Sequence, residues 1–220
     1  NSITPHELYQ KLNSIYTSMK TNLKSIFYLL IFFGAFACDT TDDAQPRVEL
    51  EAILVADLAA PNDVIDRNTG EVEKVNPFQY FSLEQNAIVS ETDDLDLAFK
   101  GTTIRTNSSK NVKAAIVSGI FEEINQVPTS ATFATDSEST FAIPTGSGNG
   151  WYNYNSATFT VTPIPGRVIL VKTTGGNYSK IEILSYYKGN PPADQIDPRA
   201  TPSGHYTFRY VLQTDGSKNF

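Results

Sequence analysis

The stretch from Arg167 to Tyr187 limits this chain's fold more than any other. Val168-Ile169-Leu170-Val171 is an unbroken apolar run, which reads as a strand covered on both faces. Thr174-Gly175-Gly176-Asn177 follows, and its glycines supply the positive φ that a tight reversal needs. The return segment, Tyr178–Tyr187, sets β-branched Ile181 and Ile183 on one face. The pattern predicts a central hairpin in which 167–173 pairs with 178–187.

The rest of the chain extends the β reading. Residues 48–54 open with alternation, and 77–83 resume it after a turn at Asn68-Thr69-Gly70. Asp96-Leu97-Ala98-Phe99 leads into a Thr-rich strand over 101–106, which ends at the loop Asn107-Ser108-Ser109. Residues 112–125 are mixed: Ala114-Ala115-Ile116-Val117 has strand character, and Phe121-Glu122-Glu123-Ile124 suits a helical turn. Asn190-Pro191-Pro192 to Pro202 is a Pro-marked loop that no central strand could hold. Residues 205–214 alternate again, with Tyr206, Phe208 and Tyr210 opposite Thr207, Arg209 and Val211. The fold class expected is all-β and mostly antiparallel, a sandwich or an irregular barrel.

At 220 residues, 40% hydrophobic and 19% charged, the chain has material for one domain with appendages. Its formal net charge of −7 argues against nucleic-acid binding, and net attraction to an anionic membrane is disfavoured too. One Cys permits neither an intrachain disulfide nor a Cys-based zinc site.

The first part of the chain has the parts of an export signal. Met19 is followed by a positive region at Lys20 and Lys24, then by the apolar run from Ile26 to Phe33 and by Ala35-Phe36-Ala37-Cys38. The apolar window is short of the roughly 20 residues that a membrane span needs. Cleavage is expected after Ala37. Two outcomes remain open there: an A-x-A site that frees a secreted protein, or a lipobox-like site at which the Cys38 thiol takes up diacylglycerol. A third reading, an apolar N-terminal core helix, fits the flanks less well. The expected organisation is an upstream extension over 1–18, a signal peptide over 19–37, a lipid-anchored tether over 38–47 and a β domain over 48–220.

Catalytic and metal-binding motifs are scarce. A Ser-His-Asp arrangement needs a His, and beyond the leader only His205 remains, at the start of a strand. Gly146-Ser147-Gly148-Asn149-Gly150 lacks the strand and helix that would aim N–H groups at a phosphate, so it reads as a flexible β-loop. Asp93-Asp94-x-Asp96 lacks the Gly turn and distal Glu of a calcium loop, and reads as a solvated strand start. An enzyme is not expected. Trp151-Tyr152-Asn153-Tyr154 offers either core packing or a flat aromatic wall for an apolar ligand, with phenol oxygens as polar or metal-binding groups.

Five blocks then resemble one family. Leu95-Asp96-Leu97-Ala98-Phe99, continuing to Asn107, is similar to the W-D-I-A-F…N block of the HmuY family. Gly150-Trp151-Tyr152-Asn153-Tyr154, the stretch from Pro163 to Thr173, Tyr178–Tyr187 and Tyr206-Thr207-Phe208-Arg209-Tyr210 follow in the family's order. The resemblance implies an all-β outer-membrane lipoprotein, cell-surface exposed and also shed as a haemophore. Such a protein serves iron acquisition by binding haem or a related porphyrin and passing it to a TonB-dependent receptor. Family members take axial ligands, two His or in some branches Met, from stretches that correspond to 129–150 and 152–158 here. Neither stretch contains His or Met. The candidate haem pocket is therefore assigned to Phe133, Phe141, Trp151, Tyr152, Tyr154 and Phe159, with Tyr152 or Tyr154 as the iron ligand through a phenolate. The alternative is a structural or protein-interaction lipoprotein that keeps the fold without haem.

Overall fold

The computed structural model describes residues 50–220; the expected signal peptide, Cys38 and the whole of the expected tether lie outside them. The described residues form thirteen strands joined by turns and three short 3-10 segments. A five-stranded antiparallel sheet runs in the order β1 (Ile53–Ala59), β13 (Ser203–Gln213), β12 (Tyr178–Tyr187), β11 (Arg167–Lys172) and β8 (Lys113–Ser118). A four-stranded sheet runs β5 (Ala87–Val89), β4 (Gln79–Ser82), β6 (Leu97–Lys100) and β7 (Thr103–Thr106). Two small hairpins pair β2 (Val64–Ile65) with β3 (Val72–Lys74), and β9 (Tyr152–Asn155) with β10 (Thr160–Pro163). Neither large sheet closes on itself, so of the two architectures expected the fold is the sandwich.

The central hairpin forms as the sequence predicts. Ile169 pairs with Ile181 and Val171 with Ser179, and β8 and β13 flank the pair on its two sides. Alternation then divides the side chains of the large sheet between two cores. Ile169, Val171, Ile181, Ile183, Tyr206, Phe208 and Tyr210 face the smaller sheet and meet Phe81, Leu97, Phe99 and Ile104. Phe99 stacks on Phe208 at 5.7 Å, and the Phe81 ring meets Phe208 edge-on at 5.5 Å. Val168, Leu170, Ala115 and Val211 face the other way, where Phe121, Val127 and Phe220 cover them. That is why the run 168–171 is apolar at every position. Both cores draw on residues from Leu50 onward, so a chain starting at Asp39 keeps every core contact described.

Three local expectations change. The strand expected over 101–106 is a hairpin turn followed by β7, because Gly101 adopts φ +55 and reverses the chain. A side chain there would also collide with the Asn62 carboxamide. The first strand lies over 53–59 rather than 48–54, since its register is set by β13, with Ile53 opposite Tyr210 and Ala59 opposite His205. Asp96 is no solvated strand start. It is fully buried, and Oδ2 accepts the Leu83 N–H at 2.8 Å. Its Oδ1 accepts both the N–H and the hydroxyl of Thr174 at 2.8 Å. This carboxylate ties the turn of the central hairpin to the smaller sheet. Its neighbours behave as expected: Asp93 bonds Ser90, and Asp94 pairs with Lys110 on the surface.

Candidate functional site

The aromatic segment after the Gly-rich loop closes one end of the sandwich. Trp151 is buried, with its ring 5.0 Å from Tyr152, 5.2 Å from Tyr206 and 5.8 Å from Tyr186. Each polar tip in this cluster has a partner. Trp151 Nε1–H donates to the Thr102 carbonyl at 2.9 Å, and the Tyr206 hydroxyl donates to the Gly101 carbonyl at 2.7 Å. The Asn62 amide donates to the Tyr186 oxygen, the Thr102 hydroxyl to the Tyr152 oxygen, and the Val161 N–H to the Tyr187 oxygen. Indole and phenol groups are buried without loss only when their polar atoms are satisfied, and here the partners come from the Gly101 turn, from Asn62 and from the β9–β10 hairpin. The cluster therefore bolts that hairpin to the sandwich.

Burial holds the Tyr186 and Tyr206 phenols neutral. It pushes Tyr186 up to about 12, against a lowering hydrogen bond from Asn62, and it drives Tyr206 well above the ordinary phenol range. Neither phenol ionises of itself at neutral pH.

The six candidate pocket residues fall in separate places. Trp151 and Tyr152 share the aromatic cluster. Phe141 lies under the Arg105 guanidinium at 4.7 Å, where the buried Asp136 also holds Arg105 and accepts the Ala142 N–H. Phe133 meets Tyr178 edge-on at 5.9 Å, on the face of the large sheet away from the smaller one. Tyr154 and Phe159 stand out from the β9–β10 hairpin, 47% and 66% exposed. Phe159 adopts φ +56, a region that a bulky residue rarely occupies, in a turn whose Asn155 Oδ1 accepts the Ala157 and Thr158 N–H groups. Of the two candidate iron ligands, Tyr152 is 9% exposed with its oxygen engaged by Thr102, whereas Tyr154 presents its ring to solvent.

A cleft of about 440 Å³ opens beside the same hairpin, within the range of small-molecule sites. Val161, Pro163 and Ile164 form one wall, Ile183 and Tyr186 on β12 another, and Pro191 and Ile196 of the Pro-marked loop a third. Asn153 and Glu182 are among its polar residues. None of the six candidate residues lines this cleft. Its walls come from segments distant in sequence, and the readable signal was the pair of proline clusters, Pro163-Ile164-Pro165 and Pro191-Pro192, bracketing β12. His205 lies elsewhere, its Nδ1 3.0 Å from the Ser203 carbonyl. Among the described residues no group of three or more His, Cys, Asp or Glu is placed to hold a metal.

The family model for the HmuY protein matches residues 74–210, which take in the smaller sheet, the aromatic cluster, the hairpin and the cleft. The chain belongs to the HmuY family. Solved structures with a similar fold include apo PinO from Porphyromonas gingivitis, at 18% identity over 76% of this chain and 99% of that one, with a TM-score of 0.46. The apo HmuY analog of Tannerella forsythia is 16% identical over 76% and 97%, with a TM-score of 0.38. An HmuY-like protein of Bacteroides vulgatus is 14% identical over 61% and 84%, with a TM-score of 0.40. No curated protein matches this chain.

Proposed function

We propose that this HmuY-family chain is a lipid-anchored surface protein that binds haem or a related porphyrin at its β9–β10 hairpin and hands it to an outer-membrane receptor. The observation that carries this reading is the family match, which spans the hairpin and the cleft beside it. The chemistry of this region supports binding rather than catalysis. Apolar cleft walls and an exposed aromatic hairpin suit a flat hydrophobic macrocycle. With no His or Met in 129–158, Tyr154 is the side chain on the hairpin that can bring an oxygen to iron. Tyr is an established haem ligand, and a hard oxygen favours ferric over ferrous iron. Ligation of this kind uses the phenolate, so the ferric ion itself must favour the ionised form. Such a ligand releases its cargo on reduction, a useful property in a carrier.

Titration of residues 39–220 with ferric haem should give a saturable Soret shift with a high-spin spectrum. Tyr154→Phe should alter that spectrum or weaken binding, and Tyr152→Phe should leave both nearly unchanged. No saturable shift would overturn the haem reading. Binding with an unaltered spectrum in the Tyr154→Phe protein would remove this ligand. One observation favours a second reading, a protein-interaction lipoprotein: Tyr154 and Phe159 form an exposed aromatic pair on a single hairpin, as anchors for a protein partner do. A negative titration would favour it.

A further inference from the structure

The large sheet gathers lysines on the side away from the smaller sheet. Register alignment sets Lys113, Lys172, Tyr178 and Gln213 in one row across β8, β11, β12 and β13. Alternation puts all four on the face of Ala115, Leu170 and Val211. Lys172 Nζ lies 5.9 Å from the centre of the Tyr178 ring, and Lys218, from the terminal loop, lies 5.8 Å from the same ring. Phe133 supports the ring from its edge. None of these three lysines has an ion-pair partner among the described residues. Like charges directly opposite on paired strands destabilise a sheet, yet Lys113 and Lys172 are directly opposite. In a chain of net charge −7, three cations without ion-pair partners, two of them beside one aromatic ring, form a local feature that the total charge hides.

The described residues begin on this same face. Leu50, the first described residue, packs against the core cluster that Phe133 and Tyr178 also touch. From Cys38 to Leu50 the chain spans at most about 40 Å when fully extended. A lipid on Cys38 would thus keep Leu50, on the face that carries the lysines, within about 40 Å of the bilayer.

We propose that Lys113 and Lys172 of this row, with Lys218 beside Tyr178, dock on the anionic headgroups of the membrane to which the chain is tethered. They would orient the domain lysine-face down. This rests on the lipid-anchor reading above. The anchor supplies proximity, and the lysines supply orientation. Tyr178 adds an amphipathic ring of the kind that settles at the headgroup level.

Unlipidated residues 39–220 and the variant Lys113→Gln/Lys172→Gln/Lys218→Gln should be sedimented with vesicles of phosphatidylcholine alone and of phosphatidylcholine with phosphatidylglycerol. The native sequence should partition onto the anionic vesicles and lose that partition in high salt. The variant should bind on the order of a hundredfold less, from the usual contribution of each surface lysine. Its Tm should be unchanged or raised, because the Lys113–Lys172 repulsion is gone. Should the triple variant fold poorly, Lys218→Gln alone lies on the terminal loop and should still lower binding severalfold. Equal partition of native and variant proteins would overturn the proposal. So would displacement by inorganic phosphate at an ionic strength where chloride has no effect, which would mark a small-anion site. Diacylglycerol on Cys38 is read separately, from the intact mass of the membrane-extracted chain, so failure of the anchor and failure of the docking face are distinguishable.

Discussion

Val171→Asp should strip the domain of much of its stability. Val171 is fully buried at the centre of the large sheet, opposite Ser179 on one side and Ala114 on the other. Its side chain belongs to the core between the two sheets, among the buried apolar side chains Ile169, Ile181 and Phe208. The substitution removes a buried apolar group and strands a charge, a cost of at least about 4 kcal/mol. That is a large share of the 5–15 kcal/mol that usually holds a domain together. Urea unfolding followed by tryptophan fluorescence would report it, since Trp151 is buried in the same core. A midpoint within error of the native protein would contradict the two-sheet packing.

Asp96→Ala should be nearly as damaging, at about 4 kcal/mol. It leaves the Leu83 N–H, the Thr174 N–H and the Thr174 hydroxyl without their acceptor. It also frees the hairpin turn from the smaller sheet, although Glu84 still holds Thr173 and Asn177. Burial, more than the hydrogen bonds from Thr174 and Leu83 offset, pushes the Asp96 carboxyl above its ordinary value. The folded state then holds a proton at pH values where the unfolded chain has released it. Stability from this group therefore rises as pH falls from the raised folded pKa toward the ordinary Asp value, and falls again as pH rises. Asp96→Asn does not titrate, so the native protein should gain on it across that interval. Urea midpoints measured at neutral and mildly acidic pH give the comparison, and a difference moving the opposite way would show that the hydrogen bonds outweigh burial.

Much of the fold was legible because its central elements announce themselves locally. The run 168–171, the Gly175-Gly176 turn and the alternation around Tyr206, Phe208 and Tyr210 each match the strands observed. The mixed segment 112–125 resolves into β8 and a 3-10 turn at Phe121–Glu123, as its two halves suggest. What was hidden depends on partners far along the chain. Asp96 looks like one more acid in an acidic loop until Thr174, 78 residues away, turns its N–H toward it. Gly101 breaks a strand because the chain must reverse beside Asn62. The aromatic segment reads equally well as core or as ligand wall, and the structure divides it: Trp151 and Tyr152 go inward, Tyr154 outward. The cleft was not visible, because its walls are ordinary apolar residues that acquire meaning only when β10, β12 and the Pro191 loop meet.

The central claim is that the β9–β10 hairpin and the cleft beside it hold the ligand, and amide hydrogen exchange tests it most directly. Residues 39–220 would be exchanged with and without saturating ferric haem, and protection mapped along the chain. Bound haem should slow exchange over 152–163 and 183–196, and leave the β2–β3 hairpin and the lysine row at Lys113 and Lys172 unchanged. Saturable binding with no added protection in 152–163, or with protection confined to the far end of the large sheet, would contradict the account.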